Sequence, residues 1–225
     1  MLLIDVVRVS EAVSRTSARL GKIGHLAELL GRVGADEAEI AIAYLSGELP
    51  QRQIGVGWRT LQDPPPPKLV ATATLTDVDA LLTRIKAVSG PGSQAARKAL
   101  VEELFTAVTS QEQSFLLRLL SGELRQGALD GVMIEAVAKA SGAASADVRR
   151  ALTLRGWLPA VGAAALSGGV EALRAFKLEV GRPVAPMLAG SAPTSPPPWR
   201  RSAARPRSSG SSTASACRRT ARATR

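Results

Sequence analysis

The hydrophobic residues of this chain recur mainly every three or four positions, the spacing of an α-helix with one buried face. The apolar stripe of one such helix consists of Leu20, Ile23, Leu26, Leu29 and Leu30, and either Thr16 or Ser17 is its expected N-terminal cap. The opening residues 1–9 are apolar but short and include Asp5. They therefore predict the start of a helix and not a signal peptide.

Four consecutive prolines, Pro64–Pro67, divide the helical pattern, because a helix cannot continue through them. Before them, a further helix is expected to open at Asp36. After them, the pattern predicts a second helical set at Asp77–Val88, Gln94–Ser110, Gln111–Leu120, Met133–Ser141, Ala146–Leu154, Gly162–Leu166 and Val170–Phe176.

Composition favours the same fold class. Apolar residues make up 45% of the chain but aromatic residues only 3%, and abundant Ala, Leu and Val suit helices better than a β-sandwich. We therefore expect an all-α, multi-helix fold. Cys217 is the one cysteine, so no disulfide framework forms within the chain and a reducing compartment is expected. No run of 18 uncharged apolar residues predicts a membrane span.

Changes in composition set the expected domain boundaries. Residues 1–180 are predicted to form one helical domain. Residues 181–193 are predicted to be an extended connector, because Pro183 and Pro186 disfavour helix at the residues before them. Residues 194–225 contain mainly Ser, Arg, Ala, Thr and Pro, and such a tail is expected to be disordered because it has little apolar surface to bury.

The net charge of +10 is concentrated in that tail. Residues 194–225 hold eight arginines and no acidic residue. Without those eight, the 29 basic residues fall to 21 against 19 acidic ones, so residues 1–193 carry a net charge of only +2. Any contact of the helical domain with nucleic acid must therefore depend on where individual Lys and Arg side chains lie.

Residues 1–193 offer little catalytic chemistry. His25 is the one histidine and stands beside Leu26 in a helical pattern, the usual setting of a structural or exposed histidine. Without a second histidine or a nearby cysteine, a zinc site is not expected. The sequence GRVGADEAE at 31–39 has two glycines but no clear strand before them, so it predicts a loop and a helix cap, not a dinucleotide-binding turn.

Two stretches in the first 60 residues combine basic residues with hydroxyl groups or glycines. The first surrounds the predicted start of a helix, whose positive end suits phosphate binding, and contains Thr16, Ser17, Arg19 and Lys22. The second, ELPQRQIGVGW at 48–58, is a polar turn that contains Arg52, Gly55, Gly57 and Trp58. Each taken singly is also typical of a simple helix cap or loop.

A third stretch, residues 114–140, predicts two helices joined by a glycine-bearing corner. Gly122 can supply a left-handed end to the first helix, and the second begins at about Asp130. Gly122 and Gly127 lack side-chain bulk, so the backbone and Arg125 could approach a phosphate closely. An ordinary helix–glycine–helix corner remains the alternative, but three such stretches in one chain favour binding to a duplex backbone.

Four blocks in this order resemble the N-terminal DNA-binding domain of bacterial ATP-dependent DNA ligases: TSARLGKIGHLAELL, YLSGELPQRQIGVGW, LRLLSGELRQGALDGVMIEAVAKA and GRPVAPMLA. The resemblance covers about residues 1–193 and implies an all-helical domain that holds the minor groove on both sides of a nick. The implied partner is nicked double-stranded DNA, bound by a cytoplasmic, nucleoid-associated monomer acting in DNA repair, replication and recombination. Thr16–Lys22, Arg52–Trp58 and Gly122–Gly127 would face the phosphates.

The resemblance also implies cofactors that this chain has no residues to use. Such ligases need ATP and a divalent metal, expected to be Mg²⁺, and a lysine followed one residue later by Asp-Gly attacks the ATP α-phosphate. No such motif occurs in this sequence. The chain is therefore expected to be inactive alone, and to be truncated or frameshifted before the adenylation domain.

The tail offers a cause for the missing lysine. Back-translated with GC-rich codons and read one base out of frame after Pro193, it gives VAAALAALGGPAAVEWKLDGIRVQ, in which the lysine comes from the codons of Gly210 and Ser211. A natural basic tail that anchors the protein to DNA is the alternative. We predict that the nucleotides from codon 185 onward contain ligase codons in the neighbouring frame, and their absence from the gene would reject the frameshift.

Two other functions remain open from the sequence. The chain could be a stand-alone nucleic-acid-binding helical protein whose basic tail is functional, or a helical protein–protein adaptor without a role on DNA.

Overall fold

Helices account for the regular structure of the computed structural model, which describes residues 1–124, 129–181, 183 and 184. In chain order they are α1 (Leu3–Arg15), α2 (Arg19–Leu30), α3 (Ala38–Leu45), α4 (Trp58–Leu61), α5 (Leu75–Ala87), α6 (Ser93–Thr106), α7 (Ser110–Leu120), α8 (Leu129–Ser141), α9 (Ser145–Arg155) and α10 (Leu158–Ala175). Within the described ranges, one isolated antiparallel bridge joins Leu2 to Thr74. The predicted all-α class is confirmed.

The described part of the chain belongs to one compact unit, Met1–Pro186. The predicted tail, residues 194–225, lies outside the described residues, as does the connector except for residues 181, 183 and 184. None of the described helices is long and apolar enough to cross a membrane.

Helix α8 lies at the centre of the packing. It packs against α2 on one side and α10 on another, and α10 also packs against α3 and α9. The apolar faces that meet there are fully buried, including Leu26, Leu29, Ile42, Met133 and Val137. Burial of such faces is the main favourable contribution to a fold of this kind.

Gly162 permits the closest of these helix contacts. A Cβ atom at this position of α10 would lie 2.4 Å from Cδ1 of Ile42 on α3 and 3.2 Å from Cγ2 of Val137 on α8. Since real Cβ atoms do not approach other atoms so closely, a side chain at residue 162 would displace the packed ends of Ile42 and Val137.

The start of α2 differs from the prediction in its cap and in one apolar position. Its N-cap residue is Ala18, which makes no side-chain cap hydrogen bond, so neither Thr16 nor Ser17 caps this helix. Thr16 instead donates its hydroxyl to the carbonyl oxygen of Ala12 at 2.7 Å and closes the end of α1. The predicted apolar stripe is buried except for Leu20, which is 82% exposed.

The boundary between α6 and α7 also differs from the sequence prediction. The predicted helix Gln94–Ser110 ends at Thr106, and α7 begins at Ser110. Thr109 and Glu112 form a capping box, in which each side chain binds the backbone N–H of the other residue. The spacing of these two residues is the sequence signature of a helix start, which the periodicity of apolar residues does not reveal.

The last two predicted helices, Gly162–Leu166 and Val170–Phe176, are parts of α10. They are separated by a kink at Gly169, whose φ of 57° and ψ of −145° are not helical. The short helix α4 was not predicted, because four residues are too few to show a periodic pattern.

We expect Gly162→Ala to lower the free energy of unfolding by roughly 1–3 kcal/mol, since the added methyl overlaps Ile42 in a close-packed core. Ile42→Val removes the nearest atom and should cost only about 0.5–1.5 kcal/mol alone. Urea unfolding should therefore show the double variant to be more stable than additivity of the two changes requires. Strict additivity would contradict the close contact.

Candidate nucleic-acid interface

The start of α2 lies against the start of α8. Arg19, the first residue of α2, is exposed, and its Nη2 donates to the carbonyl oxygen of Gly131 at 3.3 Å. A Cβ atom on Gly131 would sit 3.5 Å from the same nitrogen, which is ordinary van der Waals contact. The first predicted phosphate-binding stretch is thereby placed beside the third.

The positive charge of Arg19 lies near a carboxylate on α8, that of Glu135. Hydrogen bonding from Ser145 lowers the pKa of Glu135, and the nearby charges of Arg149 and Arg19 lower it further. Ser145 donates to Oε2 of Glu135 at 2.5 Å, and Arg149 also contacts this carboxylate. Arg19 is thus held near α8 by Gly131 and Glu135, while it remains accessible to an external anion.

The other residues of the first stretch differ in how exposed they are and in whether their polar groups are already bonded. Ser17 is exposed in the link between α1 and α2. The hydroxyl of Thr16 is engaged with Ala12, so its proton is already donated. Lys22 is half-buried, one turn into α2. Because α2 has no side-chain cap, its first backbone N–H groups are available to bind an anion.

Two corners with the same sequence, Ser-Gly-Glu-Leu, end α3 and α7. In the first, the N–H of Gly47 donates to the carbonyl oxygen of Tyr44 at 3.1 Å, and the N–H of Glu48 donates to that of Ala43 at 2.9 Å. In the second, the N–H of Gly122 donates to the carbonyl oxygen of Leu119 at 3.3 Å, and the N–H of Glu123 donates to that of Arg118 at 2.9 Å. Both corners are Schellman motifs whose glycine has a φ of 72°. The left-handed end predicted at Gly122 is confirmed.

The two corners pack against each other. A Cβ atom on Gly47 would lie 2.9 Å from the carbonyl oxygen of Leu124, so the backbones meet where a side chain cannot fit. Burial raises the pKa of Glu48, and the nearby charge of Asp130 raises it further, so the first corner also lies near the start of α8. We call residues 16–22, 46–49, 121–124, 130 and 131 the corner surface.

The second predicted stretch is anchored through Gln51, which is buried. Its Nε2 donates to Oδ1 of Asp79 at 2.8 Å and to Oγ1 of Thr83 at 2.9 Å. Tyr44 also donates to Asp79, at 3.4 Å, and burial raises the pKa of Tyr44 far above its usual value, so the phenol stays protonated. These bonds hold the loop after α3 against α5.

Beyond this anchor, the loop presents its glycines and one arginine to solvent. Arg52 is exposed and has a left-handed backbone with a φ of 61°. Gly55 has a φ of 69°, and a Cβ there would lie 3.3 Å from Cζ of Arg97 on α6. Gly57 is exposed and precedes α4, and no atom of the described residues other than its chain neighbours lies within 4 Å of its Cβ position. The second stretch therefore borders α6.

Two predicted site residues, Arg125 and Gly127, lie outside the described residues. The structure adds Gly47 to the corners and Arg97 to the second stretch, neither of which was predicted. The repeated sequence at 46–49 and 121–124 is a signal that identifies Gly47. In the described ranges, no group of three or more His, Cys, Asp or Glu residues could hold a metal ion.

Comparison with known proteins identifies the family. Residues 62–138 match the family model described as DNA ligase N terminus. The chain is 55% identical over 196 residues to a protein named "Probable DNA ligase" from Mycobacterium sp. (strain KMS). This chain contains a DNA ligase N-terminal domain. The family resemblance predicted from the four sequence blocks is thereby confirmed.

Further relatives agree with this identification of the ligase domain. Identity is 56% over 196 residues to the "Probable DNA ligase" of Mycolicibacterium vanbaalenii, and 54% over 194 residues to the "DNA ligase B" of Mycobacterium tuberculosis (strain CDC 1551 / Oshkosh). Each alignment covers 85% of this chain. The chain spans only 37% or 38% of the length of these relatives.

The paired corners of the ligase domain give a direct stability test. Gly47→Ala and Gly122→Ala should each cost ~1–2 kcal/mol, because both residues have a left-handed backbone. At Gly47 the new methyl also meets the carbonyl of Leu124, whereas at Gly122 no atom of the described residues beyond its chain neighbours lies within 4 Å. Thermal unfolding should therefore show Gly47→Ala to be the less stable by a further ~1–3 kcal/mol. Equal losses would mean that the corners do not pack as described.

Proposed function

We propose that this ligase domain binds nicked duplex DNA through the sugar–phosphate backbone. The observation that carries the proposal is the convergence of the start of α2 and both Ser-Gly-Glu-Leu corners on one surface. Nick sealing requires a grip that does not depend on base sequence, and contacts to phosphates supply such a grip.

The charges on the corner surface favour contact through backbone groups and a few cations. Glu48, Glu123 and Asp130 lie at the corners, so this surface is not uniformly basic. Arg19 and the uncapped N–H groups of α2 are the donors placed to meet a phosphate there. Arg52 extends the basic surface along the loop toward Gly55 and Gly57.

In a longer ligase, we propose that this domain holds the nick while other residues perform the chemistry. ATP would supply the adenylate and Mg²⁺ would stabilise charge on the phosphates. Such a protein would act in the cytoplasm as a monomer, in repair, replication and recombination. This chain contains no lysine followed by the Asp-Gly pair of the adenylation motif, so its proposed share of the reaction is binding.

Duplex binding by the full chain tests the proposal. We expect fluorescence anisotropy to show binding of a nicked duplex whose affinity falls with salt, because phosphate contacts release counterions. Arg19→Gln and Arg52→Gln should each weaken binding by about three- to ten-fold and reduce the salt slope by about one. Arg174→Gln is the control, since Arg174 is exposed and pairs with Glu171 of its own helix at 2.9 Å.

Replacement of the eight tail arginines by glutamine separates the helical domain from the tail. If the domain is the binder, the substituted chain keeps most of its affinity for nicked duplex. Loss of binding would assign the function to the tail instead, in a stand-alone nucleic-acid-binding protein. If the unsubstituted chain binds no duplex even at low salt, the proposal fails and the adaptor function is favoured.

We also expect this chain to accept no adenylate by itself. Incubation with ATP radiolabelled at the α-phosphate and with Mg²⁺ should yield no labelled protein, whereas an intact ligase treated in parallel should be labelled. A covalent AMP adduct on this chain would contradict the assignment of a binding role alone.

A further inference from the structure

A cleft separate from the corner surface lies between the loop after Gln51 and the first turns of α6. The loop contributes Gly55, Val56 and Gly57 to its lining, and α4 contributes Thr60. Helix α6 contributes Gln94, Ala95, Arg97 and Lys98. We call this the Gly55–Arg97 cleft.

The lining of this cleft is positively charged. Among the lining residues that the structure describes, Arg97 and Lys98 are charged and none is acidic. Lys98 pairs with Glu102 at 3.7 Å and also borders a neighbouring depression that contains Asp63. Arg97 is therefore the cation whose charge is not offset by an acidic partner in the described part of the chain.

Arg97 is fixed in position by the segments around it. Its Nη2 donates to the carbonyl oxygen of Val88, the residue that ends α5, at 2.6 Å. Its guanidinium lies under the backbone of Gly55, where a Cβ would be 3.3 Å from Cζ. Its Nε is buried and has no hydrogen-bond partner among the described residues. A guanidinium has five N–H donors; with one bonded to Val88 and Nε buried, the donors left for a ligand are those of Nη1 and the second N–H of Nη2.

The backbone on both sides of the cleft is open to a close approach. Gly57 has an extended backbone with a φ of −83°, which any residue can adopt, and no described atom beyond its chain neighbours lies within 4 Å of its Cβ position. On the opposite side, α6 begins after Gly92 without a side-chain cap and has no acidic residue in its first turn. Among the described residues, an anion in the cleft would therefore meet N–H donors and a cation but no carboxylate.

We propose that the Gly55–Arg97 cleft binds one phosphate of the DNA backbone, with Arg97 as its cation and Gly57 as the point of closest backbone approach. The proposal rests on the proposed function of the domain. It adds a second contact that is separate from the corner surface. A guanidinium fixed by its bond to Val88 suits a phosphate, because Nη1 and the second N–H of Nη2 can donate two parallel hydrogen bonds.

Three substitutions in the full chain test the cleft. Gly57→Ala introduces no backbone strain and no clash, so it should leave the melting temperature unchanged but weaken binding to nicked duplex about five-fold. Arg97→Lys keeps the charge but loses the fixed fork, and should also weaken binding about five-fold. Lys177→Gln alters an exposed lysine that does not line the cleft and should leave binding unchanged.

A titration with inorganic phosphate separates failure of this proposal from failure of the proposed function. In nuclear magnetic resonance spectra of the full chain, phosphate should cause saturable shifts of the amides of Gly55, Gly57, Gln94 and Ala95, and Gly57→Ala should reduce them. Should the parent chain bind no duplex, this titration alone decides whether the cleft holds phosphate. Parent-like duplex binding by Gly57→Ala and Arg97→Lys, or the absence of phosphate shifts, would overturn the proposal.

Discussion

The contact between α2 and α8 is the constraint on which the candidate interface depends. Both helices bury apolar faces against each other, and their first residues therefore meet at the same end. The bond from Arg19 to Gly131 marks this meeting. Because hydrophobic burial fixes the two helices, the polar groups at their first residues are brought together, and the bond to Gly131 then holds Arg19 in place.

Glycine sets the distances elsewhere in the domain. Gly162 lets α10 approach α3 and α8, and Gly47 lets one corner touch the next. In each case an atom of a neighbouring element lies in the space that a side chain would occupy. The same property leaves Gly57 open to solvent, and there we propose that the atom in the vacant space belongs to a ligand. The absence of a side chain therefore permits close packing at Gly162 and Gly47 and, in our proposal, the close approach of a ligand at Gly57.

The sequence predicted the helices well where their apolar faces are long and regular. The faces of α2, α5 and α8 follow helical periodicity, so their existence could be predicted, although their ends shifted by a few residues. The helix starts were predicted less well. Ala18 caps α2 without a side-chain hydrogen bond, and the capping box at Thr109 is a local signal that periodicity does not contain.

The site was only partly predictable for a different reason. Arg19, Arg52 and the glycines stood out because they share short segments with polar residues. Arg97 did not, because 42 residues separate it from Gly55 and only the packing of α6 brings the two together. A long-range neighbour of this kind leaves no local pattern. The repeated Ser-Gly-Glu-Leu sequence is such a local pattern, and it identifies the corner at Gly47, which was not predicted.

Hydrogen exchange of the full chain with and without nicked duplex tests the central claim most directly, because it reports on all the segments at once. We predict slower exchange at residues 17–22, 46–57 and 92–98 when DNA is bound, with little change in α9 and α10. Protection confined to residues 194–225, or to α9 and α10, would contradict an interface built from the start of α2 and the glycine corners.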